Sequence, residues 1–415
     1  MTELLNVDQA LAQVLRHIEM LPAETVDLPG ALGRVLADNI VAEGDLPPFP
    51  NSSMDGYAVR SEDVQAASQE HPVHLVVSMD IPAGVAPERP LQAGEAARIM
   101  TGAAMPDGAD AVVPVENTDT TWTLGDASNL PQQVAIFRGA KSGDYVRPIG
   151  EDLRQGQQII SAGTVVRAEE IGVLAALGRP RVFVVRQPRV AILSTGDELL
   201  EIDQPPARGK IRDSNSYALA ALVSSWGGIP LRIPIARDTL DDVRRRFREA
   251  LDHKPDVILS SAGVSVGAFD VVRTVIDELG SVDFWRINLR PGKPLVFGQV
   301  GGVPFFGLPG NPVSAMVTFD IFVRPVLLKL GNRPDNARAV TAVLGEDLRS
   351  DGRRSYLRVK LSTENGQYIA RMTGTQSSGA LTSMVLADGL LIVPENVTQA
   401  QAGEPFQVRL LRDII

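Results

Sequence analysis

The sequence predicts a multidomain α/β and β protein whose central part is a three-layer α/β domain with a mostly parallel sheet. Between residues 181 and 332, short apolar runs typical of strands alternate with amphipathic stretches typical of helices. Such alternation favours a parallel sheet with helices on both faces. The conspicuous polar clusters of this region also follow the strand-like runs, where ligands of open α/β sheets bind. Short β-like runs separated by turns before and after this region predict further β-rich domains.

The stretch from 257 to 315 carries the clearest pattern. Three Gly/Ser/Pro-rich turns there are each expected to follow a buried strand: SSAGVSVGAFD (260–270), NLRPGKP (288–294) and GLPGNPVSA (307–315). In the last turn Asn311 is expected to cap a helix that begins at Pro312 and runs to about Leu330. Unpaired N–H groups at such a helix start suit a phosphate or an oxyanion. Arg290 and Lys293 add positive charge nearby.

Four polar clusters are expected at the carboxyl ends of the parallel strands. They are TGDE (195–198), RD (237–238), SSAGVSVG (260–267) and GLPGNP (307–312). Gly, Ser and Asp are also the ordinary residues of turns, so each cluster alone is open to that interpretation. Together they crowd carboxylates onto one rim, and such repulsion favours a bound cation. With oxygen ligands, Mg²⁺ is the predicted metal, and its predicted ligands are Asp197, Glu198, Asp238 and Asp270.

The rest of the chain supplies the other predicted domains. Asn6 is expected to cap an amphipathic helix from Val7 to about Met20, and 167–178 is a second helical stretch. Taken alone, Asp55-Gly56 indicates only a tight turn. The predicted domains are a discontinuous helix-rich domain (1–46 and 145–180), an inserted β-rich domain (47–144), the three-layer α/β domain (181–332) and a C-terminal β-barrel-like domain (333–415).

Composition excludes several classes of protein. The formal net charge of −10 argues against a nucleic-acid-binding protein, which usually carries a basic face. Zero cysteines exclude disulfides and thiolate sites, and four scattered histidines leave little for zinc. No apolar run approaches the roughly 18 residues of a membrane span, so no membrane association is expected. The acidic start MTELLNVD is unlike a secretory signal, and a cytoplasmic location is predicted.

Seven motifs in the same order resemble the successive signatures of one family, molybdopterin molybdenumtransferase, which includes bacterial MoeA and the gephyrin E domain. They span most of the chain: NSSMDGYAV (51–59), RIMTGAAMPDGADAVVPVE (98–116), VRPIGEDLRQG (146–156), STGDEL (194–199), SAGVSVGAFD (261–270), LRPGKPLVFG (289–298) and GLPGNPVSA (307–315). The resemblance implies an elongated, four-domain homodimer that uses Mg²⁺. It implies insertion of molybdenum from molybdate into adenylylated molybdopterin, with release of AMP.

The resemblance also implies roles for individual residues. Molybdate would be held by Arg290, Lys293, Arg358 and Ser378. A composite active site would receive residues of the β-rich part from the partner subunit. The implied catalytic residues are Asp55, Thr101, Arg147, Asp152, Glu198, Asp238 and Asp270. The remaining implied substrate-binding residues are Ser194, Thr195, Gly196, Ser261, Gly263, Ser265, Gly267, Arg286, Pro309, Gly310, Asn311 and Pro312. Transient contacts with the molybdopterin adenylyltransferase and with molybdoenzyme maturation factors are further implications.

Two departures and three alternatives accompany this interpretation. Ala262 and Ala268 replace a Gly and an acidic residue usual in the family, which leaves Asp270 as the carboxylate of that loop; Arg290 replaces the usual Lys. One alternative is a molybdopterin adenylyltransferase, but those are short chains without the NSSMDGYAV and barrel segments. A second is a receptor-binding scaffold, as in gephyrin, for which no motif here identifies a groove. A third is a tungstate-handling paralogue.

Overall fold

The computed structural model describes residues 5–120, 130–261, 268–284 and 286–413, with the backbone alone for 268–270. The elements of the first part, in chain order, are α1 (Val7–Arg16), β1 (Ala23–Asp27), β2 (Ile40–Val41), β3 (Asn51–Ser52), β4 (Gly56–Val59), α2 (Ser61–Val64), β5 (Val73–Ile81), β6 (Glu95–Ile99), β7 (Ala111–Pro114), β8 (Gln133–Ile136), β9 (Val146–Arg147), β10 (Gln158–Ile160) and α3 (Ala168–Ala176).

The central part continues the series in chain order. Its elements are β11 (Arg181–Val185), β12 (Arg189–Ser194), β13 (Leu199–Leu200), β14 (Ile211–Arg212), α4 (Asn215–Ser225), β15 (Ile229–Arg232), α5 (Leu240–Asp252), β16 (Val257–Ser261), α6 (Ala268–Leu279), β17 (Gly280–Phe284), β18 (Leu289–Arg290), β19 (Val296–Val300), β20 (Val303–Leu308), α7 (Pro312–Thr318) and α8 (Arg324–Leu330), with a π-helical turn, Phe319–Val323, between the last two.

The C-terminal part is almost entirely β structure. Its elements are β21 (Ala339–Leu344), β22 (Leu348–Arg349), β23 (Arg354–Glu364), β24 (Gln367–Met372), α9 (Thr382–Leu386), β25 (Gly389–Val393), β26 (Gln399–Ala400) and β27 (Pro405–Leu410). No helix of the described residues is both long and apolar enough to cross a membrane.

The chain forms two compact units. The small unit comprises Asp27–Pro29 and Asp38–Val182, and the large unit comprises Met1–Val26, Gly30–Ala37 and Phe183–Ile415. The segments predicted as helix-rich contain α1 and α3, and they also contain the short strands β1, β2, β9 and β10. Helix α1 belongs to the large unit, because its apolar face of Val7, Ala10 and Val14 is buried in that unit's core. The predicted four-domain boundaries stay a prediction.

The small unit is built on a five-stranded sheet of order β7-β4-β6-β5-β8. Strands β5 and β6 run parallel, whereas the other neighbours are antiparallel. Strand β4 lies between β7 and β6, and all four of its residues are buried. Gly56 is required there, because a Cβ atom would come within 2.1 Å of the Val113 carbonyl oxygen on β7. The Asp55-Gly56 turn therefore enters a central strand.

The large unit contains the predicted three-layer α/β fold, around a six-stranded sheet of order β15-β12-β16-β20-β19-β17. Strands β15, β12, β16 and β20 are parallel, and this confirms the mostly parallel sheet. Helices α4 and α7 contribute to the apolar core on one face, and α5 and α6 to the core on the other. The edge strand β17 carries few apolar residues and was not expected from the sequence.

The expectation that each Gly/Ser/Pro-rich turn follows its apolar run is wrong for NLRPGKP. That turn precedes β19, which runs antiparallel to β20. Antiparallel pairing brings the start of β19 to the edge where β20 ends, so the turn still reaches the ligand-binding edge. Within the turn, β18 pairs with β23 of the barrel, with Arg290 opposite Ser355. This pairing brings Arg290 to the barrel.

The helical stretch 312–330 has the predicted bounds but is not a single α-helix. A π-helical turn interrupts it between α7 and α8. Pro325, in the first turn of α8, has no N–H to donate to the preceding turn, which explains the local change in hydrogen bonding. The C-terminal part is a closed five-stranded barrel, because β23 pairs with β25 and completes the circuit β23-β24-β21-β27-β25.

Candidate functional site

Two neighbouring cavities of the large unit contain most of the predicted binding residues. The basic cavity has a volume of about 440 Å³, and Arg290, Lys293, Arg353, Arg358 and Ser378 are among its lining residues. The larger cavity has about 530 Å³ and is lined at several points by the ends of strands. The residues that line both are Pro294, Pro309 and Asn311, so the two cavities adjoin.

The basic cavity concentrates positive charge on a rigid frame. Arg358 is only 1% exposed; its Nε donates to Ser383 Oγ at 3.1 Å and its Nη2 to the Ser377 carbonyl at 3.0 Å. Burial, together with the neighbouring charge of Arg290, lowers the pKa of Arg358 to about 10, which leaves the guanidinium charged at neutral pH. The cavity therefore offers a fixed cation to an anionic ligand.

Arg290 and Arg353 share the carboxylate of Asp351. Arg290 Nη1 lies 3.6 Å from Asp351 Oδ2, and Arg353 Nε donates to the same oxygen at 3.0 Å. Arg353 Nη1 also donates to the Leu289 carbonyl at 3.2 Å, which ties it to β18. The Arg290 side chain is 41% exposed, whereas Arg358 is buried. Arg290 is thus the more exposed donor of the two.

Asn311 occupies the predicted N-cap position of α7 but does not cap it through its side chain. Its Nδ2 instead donates to Ser378 Oγ at 2.9 Å, and the Val313 N–H donates to the Ser378 carbonyl at 3.1 Å. The expected free N–H at this position is therefore occupied by the barrel loop. The consequence is that Ser378 is fixed at the boundary of the two cavities.

Carboxylates meet where β12 ends, and we call Asp197, Glu198 and Asp238 the acidic edge. The Asp197 N–H donates to Asp238 Oδ2 and the Asp238 N–H to Asp197 Oδ1, both at 3.4 Å. Burial, with repulsion from Asp197 and Glu198, raises the pKa of Asp238. Gly196 has φ of 149°, and a Cβ atom there would come within 2.5 Å of the Glu198 carboxylate. The positive φ favours glycine at this position.

The oxygen donors of the acidic edge have the chemistry that Mg²⁺ prefers. Among the described residues, however, no three His, Asp or Glu side chains form a group that could hold a metal ion. Asp270, the fourth predicted ligand, lies in the first turn of α6, and its side chain is outside the described atoms. The acidic edge fits part of a magnesium site, and the complete site stays a prediction.

The remaining predicted residues of the large unit are placed as follows. Ser194 and Thr195 are buried at the end of β12, and Ser194 Oγ lies 3.0 Å from Ser261 Oγ on the neighbouring strand. Thr195 Oγ1 has no hydrogen-bond partner within the described part of the chain. Arg286 is exposed and is outside the lining of both cavities. The larger cavity includes Ser261, Gly310 and Pro312 in its lining, whereas Gly263, Ser265 and Gly267 lie outside the described residues.

The four predicted residues of the small unit are all exposed. Asp55 Oδ1 accepts hydrogen bonds from Thr101 N at 2.7 Å and from Thr101 Oγ1 at 2.8 Å, so these two form one polar group. Arg147 is in β9, opposite Asn51 of β3, and Asp152 follows in a turn. Within this unit the structure brings Asp55 and Thr101 together.

Sequence reasoning missed two residues that line these cavities, Arg353 and Asp213, and it also missed Asp351, which bonds Arg353. Arg353 and Asp351 belong to the DGRR turn before β23, which has no recognisable motif. Asp213 is 2% exposed and lines the larger cavity; its Oδ1 accepts from the Ser216 N–H at 3.0 Å. Ser214 directly precedes α4 but makes no side-chain capping bond, and Asp213 takes that role. Asp213 comes directly before Ser214-Asn215, and an Asp at the start of a helical stretch is the signal that could have indicated its capping role.

Comparisons with known proteins agree over most of the chain. Family models match residues 5–178 as "MoeA N-terminal region (domain I and II)", 191–329 as "Probable molybdopterin binding domain" and 341–411 as "MoeA C-terminal region (domain IV)". Several proteins named molybdopterin molybdenumtransferase are similar to this chain. The one from Nostoc sp. is 40% identical, covering 93% of this chain and 88% of its own; that of Bacillus subtilis is 34% identical, covering 98% and 94%.

A solved structure has the same fold. The molybdopterin biosynthesis MoeA protein from Pyrococcus horikosii superposes with a TM-score of 0.80 at 33% identity, over 99% of this chain and 100% of that one. A third relative, "Molybdopterin molybdenumtransferase 2" of Mycobacterium tuberculosis, is 40% identical over 92% of this chain and 94% of its own. The chain therefore belongs to the molybdopterin molybdenumtransferase (MoeA) family of enzymes of molybdenum cofactor biosynthesis.

Proposed function

We propose that this enzyme transfers molybdenum from molybdate into adenylylated molybdopterin and releases AMP. The observation that carries the proposal is a cationic cavity adjoining a larger one, with Pro294, Pro309 and Asn311 shared between them. A small oxyanion and a large organic substrate would then meet at this boundary. Reacting groups held side by side gain the largest rate advantage from orientation.

Molybdate is a tetrahedral dianion and requires several fixed donors. Arg290, Lys293, Arg358 and Ser378 all line the basic cavity, in agreement with their proposed role. Ser378 receives the Asn311 Nδ2–H, so its own hydroxyl hydrogen is free to point at an oxyanion. The buried Arg358 provides charge without the entropy cost of ordering an exposed side chain.

The adenylylated pterin is assigned to the larger cavity. Backbone at Gly310 and hydroxyl at Ser261 line this cavity and suit its phosphates. Bound Mg²⁺ would be held by Asp197, Glu198, Asp238 and Asp270 and would neutralise phosphate charge. AMP leaves when a molybdate oxygen or a water oxygen attacks the phosphoanhydride. At the acidic edge, the Asp197 and Asp238 carboxylates each accept the N–H of the other residue at 3.4 Å.

The enzyme is proposed to act as a homodimer with a composite active site. The lining residues of both cavities belong to the large unit, while Asp55, Thr101, Arg147 and Asp152 belong to the small unit. These four are proposed to reach the cavities from the partner subunit. Subunit exchange between an inactive Asp55→Ala protein and an inactive Asp270→Ala protein should then restore part of the activity, because one site per heterodimer is intact. Demonstrated exchange without recovery would exclude the composite site.

The reaction itself is tested by single-turnover AMP release from adenylylated molybdopterin. We expect AMP with molybdate and Mg²⁺, and none when the oxyanion is omitted. Tungstate is assayed in parallel, since its size and charge are nearly those of molybdate. Absence of AMP with either oxyanion would overturn the proposed activity. A much higher rate with tungstate would reassign the metal while leaving the reaction class unchanged.

A further inference from the structure

Asp213 has one carboxylate oxygen that the fold does not use. The residue is 2% exposed and precedes α4. Its Oδ1 accepts the Ser216 N–H at 3.0 Å, but its Oδ2 has no hydrogen-bond partner among the described residues. A buried acceptor without a partner costs free energy, and a helix cap needs only one oxygen. The second oxygen therefore remains available for a ligand.

The surroundings of Asp213 define the chemistry of that ligand. Asp213 lines the larger cavity together with Glu198, and Arg212 is the one cation among the described lining residues. Arg212 is already engaged, because its Nε donates to the Ile202 carbonyl at 3.0 Å and its Nη2 to the Gln204 carbonyl at 3.2 Å. Asn215 Nδ2 is likewise used, by the Gly310 carbonyl at 2.8 Å. This end of the cavity offers acceptors, and it requires donors from the ligand.

The charge of the two cavities is therefore segregated. The basic cavity, with Arg290, Lys293, Arg353 and Arg358, suits the anionic end of a ligand, whereas the Asp213 end suits an uncharged group rich in N–H. In a molybdopterin the dithiolene and the phosphate lie at one end of the fused rings. The opposite end is the aminopyrimidinone edge, where a ring N–H and an exocyclic amino group stand side by side.

We propose that Asp213 Oδ2 accepts hydrogen bonds from the aminopyrimidinone edge of the pterin and thereby fixes which end of the substrate faces the oxyanion. The assignment rests on the proposed function and deepens it. A donor–donor edge is complementary to a carboxylate, and such bonds are charge-assisted. Asp213 thus has two functions: Oδ1 caps α4, and Oδ2 accepts hydrogen bonds from the pterin ring.

The two functions are separated by two substitutions. Asp213→Asn keeps an oxygen for the Ser216 N–H, since Asn caps helices as well as Asp, but it places an NH₂ donor where Oδ2 was. Asp213→Ala removes both. We expect Asp213→Asn to retain the wild-type melting temperature and to bind molybdopterin about 10- to 100-fold more weakly. Asp213→Ala should lose both affinity and stability. Asp203→Asn, at an exposed carboxylate of the preceding loop, controls for the change of net charge.

Ring analogues give a second measurement, the preference for a pterin over a lumazine. A residue that only caps α4 would not affect this preference. Hydroxymethylpterin and hydroxymethyllumazine differ by replacement of the exocyclic amino group with a carbonyl. As competitors of molybdopterin on the full-length protein, the pterin should be preferred by the wild type. Asp213→Asn should lose or reverse this preference, because its NH₂ group matches the carbonyl of lumazine.

Three results would overturn the assignment. The first is wild-type molybdopterin affinity in Asp213→Asn, which would leave Asp213 a helix cap only. The second is weakened binding of AMP by Asp213→Asn with unchanged binding of molybdopterin, which would mean that Asp213 Oδ2 accepts hydrogen bonds from the ribose hydroxyls of AMP. The third is an unchanged analogue preference. Failure of the proposed function is distinguishable from all three, because it appears as absent molybdopterin binding or absent AMP release in the wild type.

Discussion

The basic cavity and the acidic edge each bring like charges together, but they differ in how firmly hydrogen bonds hold the charged side chains. In the basic cavity, Arg358 is buried and held by two neutral oxygens at 3.0 and 3.1 Å, and Arg290 and Arg353 share the Asp351 carboxylate. At the acidic edge, Asp197 and Asp238 are joined by two long bonds of 3.4 Å. The cationic group is therefore firmly held, and the anionic group is not.

This difference teaches how each region should respond to its ligand. Fixed donors stabilise an anion with little reorganisation, so the basic cavity is organised in advance for the oxyanion that we propose it binds. The raised pKa of Asp238, caused by burial and then by the charges of Asp197 and Glu198, reports repulsion that remains in the folded protein. The acidic edge should therefore gain stability from a cation. Four predictions test this contrast.

The largest effect is expected at Arg358. Replacement by Met removes a buried charge-assisted donor, and the molybdate concentration for half-maximal AMP release should rise about 100-fold, the upper end for such a bond. Titration of molybdate in the single-turnover assay measures it. Ser383→Ala removes the partner of Arg358 Nε and a local hydrogen bond to the Ala380 carbonyl, but Ser383 is outside the cavity lining, so the value should change little. Equal defects in the two variants would mean that Arg358 acts through the loop and not on the oxyanion.

Arg290 should matter less, because its side chain is 41% exposed and already faces Asp351. Arg290→Ala is expected to raise the half-maximal molybdate concentration about 10-fold, with little change in molybdopterin affinity. Arg290→Lys should recover most of this loss, since an ammonium still supplies charge and one donor. A defect that excess molybdate does not rescue would move Arg290 from the oxyanion to the phosphates of the substrate.

The sequence was a good guide where local pattern decides structure. Alternating apolar runs predicted the α/β sheet and the barrel, and the strand-end clusters predicted the place of Thr195, Asp197 and Gly310. Arg358 and Ser378 were inferred only from the family resemblance. Arg358 lies near Arg290 because β18 pairs with β23, and Ser378 is held by its contact with Asn311. No local pattern encodes that pairing.

What the sequence did not reveal depends on partners far along the chain. Asn311 is a good cap by local rules, yet its side chain bonds Ser378, which lies 67 residues away. Asp213 has a short-range capping role, but its unpaired oxygen becomes visible only when burial is known. Arg353 was missed because a turn arginine is ordinary until β18 is found beside it. Tertiary contacts, not propensity, decided these three.

Asp238 tests the acidic edge through pH. A carboxyl whose folded pKa is raised holds its proton more tightly when folded, so wild-type stability is lost as pH rises from the unfolded value of 3.8 through the raised folded pKa. Asp238→Asn removes this loss, and without Mg²⁺ its melting temperature at neutral pH should exceed that of the wild type by about 1–2 °C. Thermal unfolding between pH 4 and 8 measures it.

Magnesium sharpens the same test. Added Mg²⁺ should raise the melting temperature of the wild type and should have little effect on Asp238→Asn, since ligand binding stabilises only the protein that binds it. Asp203→Asn, which removes an exposed carboxylate outside the acidic edge, should respond to Mg²⁺ as the wild type does. A magnesium shift retained in Asp238→Asn would take Asp238 out of the metal site.

The smallest effect, and the one of opposite sign, is expected at Asp351. This carboxylate lies 3.6 Å from Arg290 and competes with an oxyanion for the same cation. Asp351→Asn should therefore bind molybdate about two- to five-fold more tightly, as expected for an exposed ion pair, and the gain should shrink in high salt. Asp347→Asn, at another exposed carboxylate of the barrel, is the matched control. Weaker molybdate binding by Asp351→Asn would contradict this prediction and would show that Asp351 positions Arg290 and Arg353 more than it neutralises them. The carboxylate would then belong to the rigid frame that distinguishes the basic cavity from the acidic edge.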